Sequence, residues 1–113
     1  MIQRFVHRNM NRWNIPKELE EQVRARDTHC IYCGISLEST PGKRSVGSWE
    51  HILNNAEIVT PENIARCCRP CNSSKGAEPL KVWLESKSRY LERHGISREC
   101  VVDVVKRHLE NYP

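Results

Sequence analysis

The sequence has no apolar run near the roughly 20 residues that a bilayer span needs, and only one phenylalanine in 113 residues. The first absence excludes a transmembrane helix. The second, with hydrophobic residues at 38% of the chain, leaves little material for a large core. A domain of this length gains only modest stability from burial alone, so a further staple is expected. No secretory leader is expected, because Arg4, His7, Arg8 and Arg12 interrupt any apolar stretch between Met1 and Pro16. The chain therefore reads as soluble and cytoplasmic, with no membrane partner. Positions 1–16 carry three arginines and one histidine but no acid, and read as a basic arm or as an ordinary solvated terminus. A net charge of +4 is mild, and alone favours nucleic acid only weakly. No repeat, low-complexity tract or linker divides the chain, so one domain over 1–113 is expected.

Cysteine is what the chain has in excess. Cys30 and Cys33 form one Cys-x-x-Cys pair, and Cys68 and Cys71 form another. Two intervening residues let both thiolates of a pair approach one ion, and two such knuckles complete a tetrahedral sulfur site. Gly34 suits the tight turn after the first pair. In a reducing compartment such pairs are metal ligands more often than disulfides, and four thiolates suit structural Zn²⁺. Two disulfides or an iron–sulfur cluster are the competing readings. Cys67 adjoins a ligand but has the wrong spacing to Cys71. Cys100, among the valines of the last helix, reads as a small core residue.

Three helices are expected. One opens at Pro16 and fades near Arg26 or Asp27, with Leu19 and Val23 as its buried stripe. A second spans about Asn72 to Leu91, kinked or divided at Pro79, with Leu80, Trp83, Leu84 and Leu91 on one face. A third runs from about Ser97, a candidate N-cap, through Val101, Val104, Val105 and Leu109. Those valines suit either core or a dimer surface. Between the first two helices, Thr40-Pro41-Gly42-Lys43 is turn chemistry. Ser45 to Leu53 fits a strand, and Ala56 to Val59 a loop or short strand. Trp49 and Trp83 read as core, while His7, His94 and His108 read as solvent-exposed.

Between the knuckles lie Glu50-His51 at the end of the expected strand and Asn63; Asn72 directly follows the last cysteine, and Lys75 comes three residues later. The ordered set Arg26-Asp27-x-x-Cys30-x-x-Cys33-Gly34, Trp49-Glu50-His51-Ile52, Asn63-Ile64 and Cys68-x-x-Cys71-Asn72-x-x-Lys75 resembles the HNH endonuclease family over roughly Arg26 to Gly76. The resemblance implies an α+β fold: a small ββα-metal core with two zinc knuckles over about 26–91, the basic arm 1–16, flanking N-terminal and C-terminal helices, the latter about 97–111. It implies a metal-dependent DNA endonuclease that nicks, with His51 as general base, a role an imidazole titrating near neutral pH can fill. It further implies that Asn63 orients His51 and that Glu50 and Asn72 hold a catalytic Mg²⁺ or Mn²⁺. Arg66, Arg69 and Lys75 crowd the same segment, and would grip DNA phosphates.

Two departures stand out: glutamate at 50 replaces the family's aspartate, adding about 1.5 Å of reach, and asparagine at 72 replaces its second histidine. Both keep hard oxygen ligands, and both bear on metal preference. A plainer reading remains, a non-catalytic zinc-stabilised module that binds nucleic acid, or a zinc-stabilised protein-interaction domain. Within it, Asn63 belongs to a turn, Asn72 caps a helix, and the basic residues are solvated. Cleavage specificity would be modest unless the chain forms a homodimer or acts beside a partner protein.

Overall fold

The computed structural model describes residues 11, 13–37 and 46–112. Most of the expected basic arm and the turn around Pro41 lie outside the described residues. Helix α1 spans Lys17–Arg26, opened by extended Pro16, with Glu18 and Glu20 in its first turn and Arg24 and Arg26 in its last. That charge order complements the helix dipole, and Leu19 and Val23 are its buried side chains.

Strand β1, Gly47–His51, pairs antiparallel with β2, Ile64–Cys68. The register sets Ser48 opposite Cys67, Trp49 opposite Arg66, Glu50 opposite Ala65 and His51 opposite Ile64. Alternation gives the ribbon two faces. Ala65 and Cys67 join the main core, with Tyr32, Trp83, Leu91 and Val105. Ile64, flanked by half-buried Trp49, joins a smaller cluster of Ile15, Leu19 and Val23 beneath α1. Strand β2 was not anticipated at its position, because Ile64-Ala65-Arg66-Cys67-Cys68 is buried on both faces and shows no clean alternation.

Helix α2, Arg69–Lys75, follows β2 without a loop, with Cys68 as its N-cap residue and proline in its first turn. The helix expected over about Asn72–Leu91, kinked or divided at Pro79, is three short ones: α2, α3 at Leu80–Glu85, which begins directly after Pro79, and α4 at Arg89–Arg93. Gly76, at φ 53°, ends the first. Lys87, at φ 54°, separates the others, and the Ser88 hydroxyl accepts the Leu91 N–H at 3.3 Å to start α4. The final helix, α5, spans Asp103–Asn111 and starts later than Ser97. The Ser97 carbonyl accepts the N–H groups of Cys100 and Val101 in a separate turn, and extended Val102 donates to Ile31 O at 3.4 Å before α5 begins. Val101, Val104, Val105 and Leu109 are core side chains. The whole is a small α+β fold whose two-stranded ribbon carries α2 across its end. Among the described residues, no helix is long and apolar enough to cross a membrane.

Candidate active site and four-cysteine metal centre

The knuckles close as their spacing requires. The four sulfurs of Cys30, Cys33, Cys68 and Cys71 all lie within 4.8 Å of one another, and those of Cys33 and Cys68 are 3.7 Å apart. A tetrahedral Zn²⁺ with bonds of about 2.3 Å separates its sulfurs by roughly 3.8 Å, so the cluster fits such an ion. Gly34 takes φ 81° at the first knuckle, a conformation in which a side chain is strained. The N–H groups of Tyr32 and Cys33 point at Cys30 Sγ, at 3.4 and 3.5 Å, and the Tyr90 hydroxyl donates to Cys71 Sγ at 3.0 Å. Hydrogen bonds from Cys68 and Cys71 hold the Cys30 thiol far below its usual range. The same sharing pushes Cys68 up to about 12 and Cys71 higher still. Cys67 takes no part: it is fully buried, with its sulfur 3.9 Å from Ser48 Oγ across the ribbon. Cys100 is exposed, which corrects its reading as a core residue; it lies in the turn before α5 rather than on the apolar face.

The ribbon and α2 enclose a cleft of about 610 Å³ whose lining includes Ser48, Glu50, His51, Asn54, Arg69 and Asn72. Strand β1 ends at His51, so neighbouring side chains of opposite parity both border this space. His51 Nε2 is buried and has no hydrogen-bond partner among the described residues. Burial, and secondly the charge of Lys75, lower the imidazole pKa below its usual 6.5. The ring is therefore neutral at neutral pH. Asn72, in the second turn of α2, donates through Nδ2 to Ser48 Oγ at 3.1 Å. Arg69 is exposed at the mouth.

Glu50 is less open than a metal ligand read from sequence would suggest. It is 5% exposed; its Oε2 accepts the Tyr32 hydroxyl at 2.7 Å and pairs with Lys75 Nζ at 3.3 Å. Burial raises its pKa, and Lys75 and Tyr32 oppose that rise. Lys75 is 1% exposed, which corrects its reading as a phosphate-facing side chain. The last residue of α2 turns inward to neutralise Glu50, because an unpaired buried carboxylate is costly. Tyr32 was missed altogether. Burial, then the Glu50 charge, push its phenol well above the usual range, so the hydroxyl keeps the proton it donates. Its one legible signal was its place inside the first Cys-x-x-Cys.

Asn63 fixes the loop between the strands. Its Oδ1 accepts the Leu53 N–H at 2.6 Å, and its Nδ2 donates to Leu53 O and Ile58 O at 3.2 and 3.0 Å. Its backbone carbonyl accepts the Ile52 N–H at 2.9 Å. The amide thus holds the chain just after His51, and no bond joins it to the ring. Arg26 and Asp27 add a second staple that sequence reading did not resolve. Arg26 grips Asp27 with two 2.8 Å bonds and also donates to Pro61 O and Ile64 O. Asp27 Oδ2 accepts the Arg66 N–H at 3.1 Å. The Arg66 guanidinium stacks on Trp49 at 4.7 Å, with Arg24 on the same ring at 5.1 Å. His108 is buried and stacks with Tyr112 at 4.7 Å, and His94 lies 4.4 Å from the Tyr90 ring. Both have ring partners, contrary to their reading as solvated side chains.

Compared with known proteins, the chain is 31% identical over 71 residues to a CRISPR-associated endonuclease Cas9 from Corynebacterium diphtheriae, a match covering 60% of this chain and 6% of that protein. The chain therefore spans only a small part of that relative's length. No family model matches the chain, and no solved structure matches it. The partial likeness to an endonuclease and the four-cysteine cluster are compatible with an HNH-like nuclease.

Proposed function

We propose that the chain is a divalent-metal-dependent DNA endonuclease of HNH type that nicks one strand at a time. The observation that carries this reading is the unpartnered Nε2 of neutral His51, in a cleft that also contains Glu50, Asn72 and Arg69. A general base needs a free nitrogen that is neutral at working pH and within reach of a water. Nε2 takes the proton from that water as its oxygen attacks phosphorus. Asn63 holds the chain after His51 and so limits the ring's movement. Arg69 pairs with a phosphate at the mouth, which orients the backbone without reading bases.

Glu50 and Asn72 would hold the catalytic Mg²⁺ or Mn²⁺. Their donor chemistry fits, since a carboxylate and an amide oxygen are hard ligands suited to those ions. When bound, the ion supplies charge neutralisation at the scissile phosphate and the leaving 3′ oxygen. Zn²⁺ belongs at the four cysteines, where it is structural because no coordination position stays open.

The decisive experiment is conversion of supercoiled plasmid by the zinc-loaded protein and by His51→Ala, with Mg²⁺, with Mn²⁺ and with EDTA. Nicking that requires the metal and vanishes in the variant, at unchanged DNA affinity and zinc content, supports the reading. Salt-dependent DNA binding with no nicking under any metal replaces it with a non-catalytic zinc module.

A further inference from the structure

Tyr32 and Lys75, the partners of Glu50 Oε2, arrive from opposite directions in the chain and share one origin. Tyr32 lies between Cys30 and Cys33, and its own N–H bonds to Cys30 Sγ. Lys75 lies one helical turn beyond Cys71 on α2. Each zinc knuckle therefore carries one of the groups that hold the carboxylate. Tyr32 has little freedom to do anything else. It is 2% exposed, and its ring meets the Trp83 ring edge-on at 4.9 Å and 75°. Trp83 is itself tied to α2, through Nε1 to Ser74 Oγ at 3.0 Å. The path from sulfur to carboxylate thus runs through packed or hydrogen-bonded groups at every step.

We propose that the four-cysteine centre acts as a jig for the catalytic carboxylate, with Tyr32 as the positioning residue that transmits its geometry to Glu50. The inference rests on the nuclease reading, since it concerns the ion that Glu50 binds. A glutamate side chain has one more rotatable bond than an aspartate, and so more conformations to lose on binding an ion. The hydroxyl of Tyr32 and the ammonium of Lys75 remove that freedom beforehand. Partners that orient a metal ligand in this way commonly carry about ten- to hundred-fold in metal affinity.

The test uses the full chain with zinc bound and compares Mn²⁺ affinity, by electron paramagnetic resonance titration, in wild type, Tyr32→Phe and Glu50→Gln. Phenylalanine keeps the ring against Trp83 and removes only the hydroxyl. Mn²⁺ binding about ten-fold weaker or worse in Tyr32→Phe, at one zinc per chain and unchanged DNA affinity, supports the proposal. Binding within two-fold of wild type, while Glu50→Gln loses it, overturns the proposal and leaves the nuclease reading intact. Should wild type neither bind Mn²⁺ nor nick DNA, both fall together. A second measurement does not depend on how the variant folds: 3-fluorotyrosine at position 32 keeps the hydroxyl. Its fluorine resonance is expected to move with Mg²⁺ at the midpoint of binding, and a resonance that stays still while Mg²⁺ binds overturns the proposal.

Discussion

Lys75 Nζ lies 3.3 Å from Glu50 Oε2, with the two side chains 1% and 6% exposed. A pair so deeply buried adds little net stability over an apolar pair of the same volume, yet breaking it leaves one charge stranded. That asymmetry makes it the most sensitive point of the site.

Lys75→Met is accordingly expected to cost about 3–5 kcal/mol of folding stability in the zinc-loaded protein, because Glu50 loses its counter-charge. Adding Glu50→Gln should restore much of the loss. Urea unfolding of both variants and wild type reads this directly. A single-variant cost under about 1 kcal/mol, which is the range of a solvated pair, would refute the burial argument.

The lowered pKa of His51 fixes the direction of the pH response. Its folded-state value lies below the ordinary 6.5, so between the two values the unfolded chain binds more protons and stability falls as pH falls through that window. The acid limb of nicking should likewise have its midpoint below 6.5, with most of the base available at pH 7. A midpoint above 6.5 in the wild type would contradict the desolvated, lysine-facing environment of the ring.

Asn63→Ala should remove three side-chain hydrogen bonds to the loop after β1. At about 1 kcal/mol each, with a further penalty for partners left buried, a loss of about 3 kcal/mol is expected. Hydrogen exchange offers the sharper check: the Leu53 amide should lose its protection while Cys67 in β2 keeps it. If nicking falls further than the drop in folded population explains, loop position acts on His51.

Metal content separates the neighbouring cysteines. Cys68→Ser should abolish the single bound zinc and, with it, cooperative folding. Cys67→Ala should keep one zinc per chain, since its sulfur faces Ser48 across the ribbon. Zinc analysis of the two purified variants decides the ligand set, and zinc loss in both would require a different one.

How much of this could be read from the residues depends on the range of the interaction concerned. Cysteine spacing is a local code, so the four ligands and the rejection of Cys67 followed from it. The first helix was legible because Pro16, the early glutamates and the Leu19–Val23 spacing agree. The helical segments after Asn72 were divided at Pro79, where α3 begins, but not at Gly76 and Lys87, because apolar periodicity runs across both while the positive φ at each breaks the helix. Glu50, His51, Arg69 and Asn72 do border one cleft, but Ser48 was not singled out and the inward turn of Lys75 was not foreseen. A lysine reads as a surface charge unless one knows that a buried carboxylate waits four residues into a strand far upstream. The role of Tyr32 was hidden for the same reason, despite its place inside the first Cys-x-x-Cys: its partner is 18 positions away.

The arrangement also has a direction in time. A chain made from its N-terminus presents Cys30 and Cys33 first, then β1 with Glu50 and His51, and only afterwards Cys68, Cys71 and Lys75. Until that last stretch emerges, half of the sulfur cage is missing and the carboxylate has no counter-charge. The His51 imidazole is thus synthesised well before Lys75 and the second cysteine pair, and the sulfur cluster and the buried ion pair are complete only once α2 is in place.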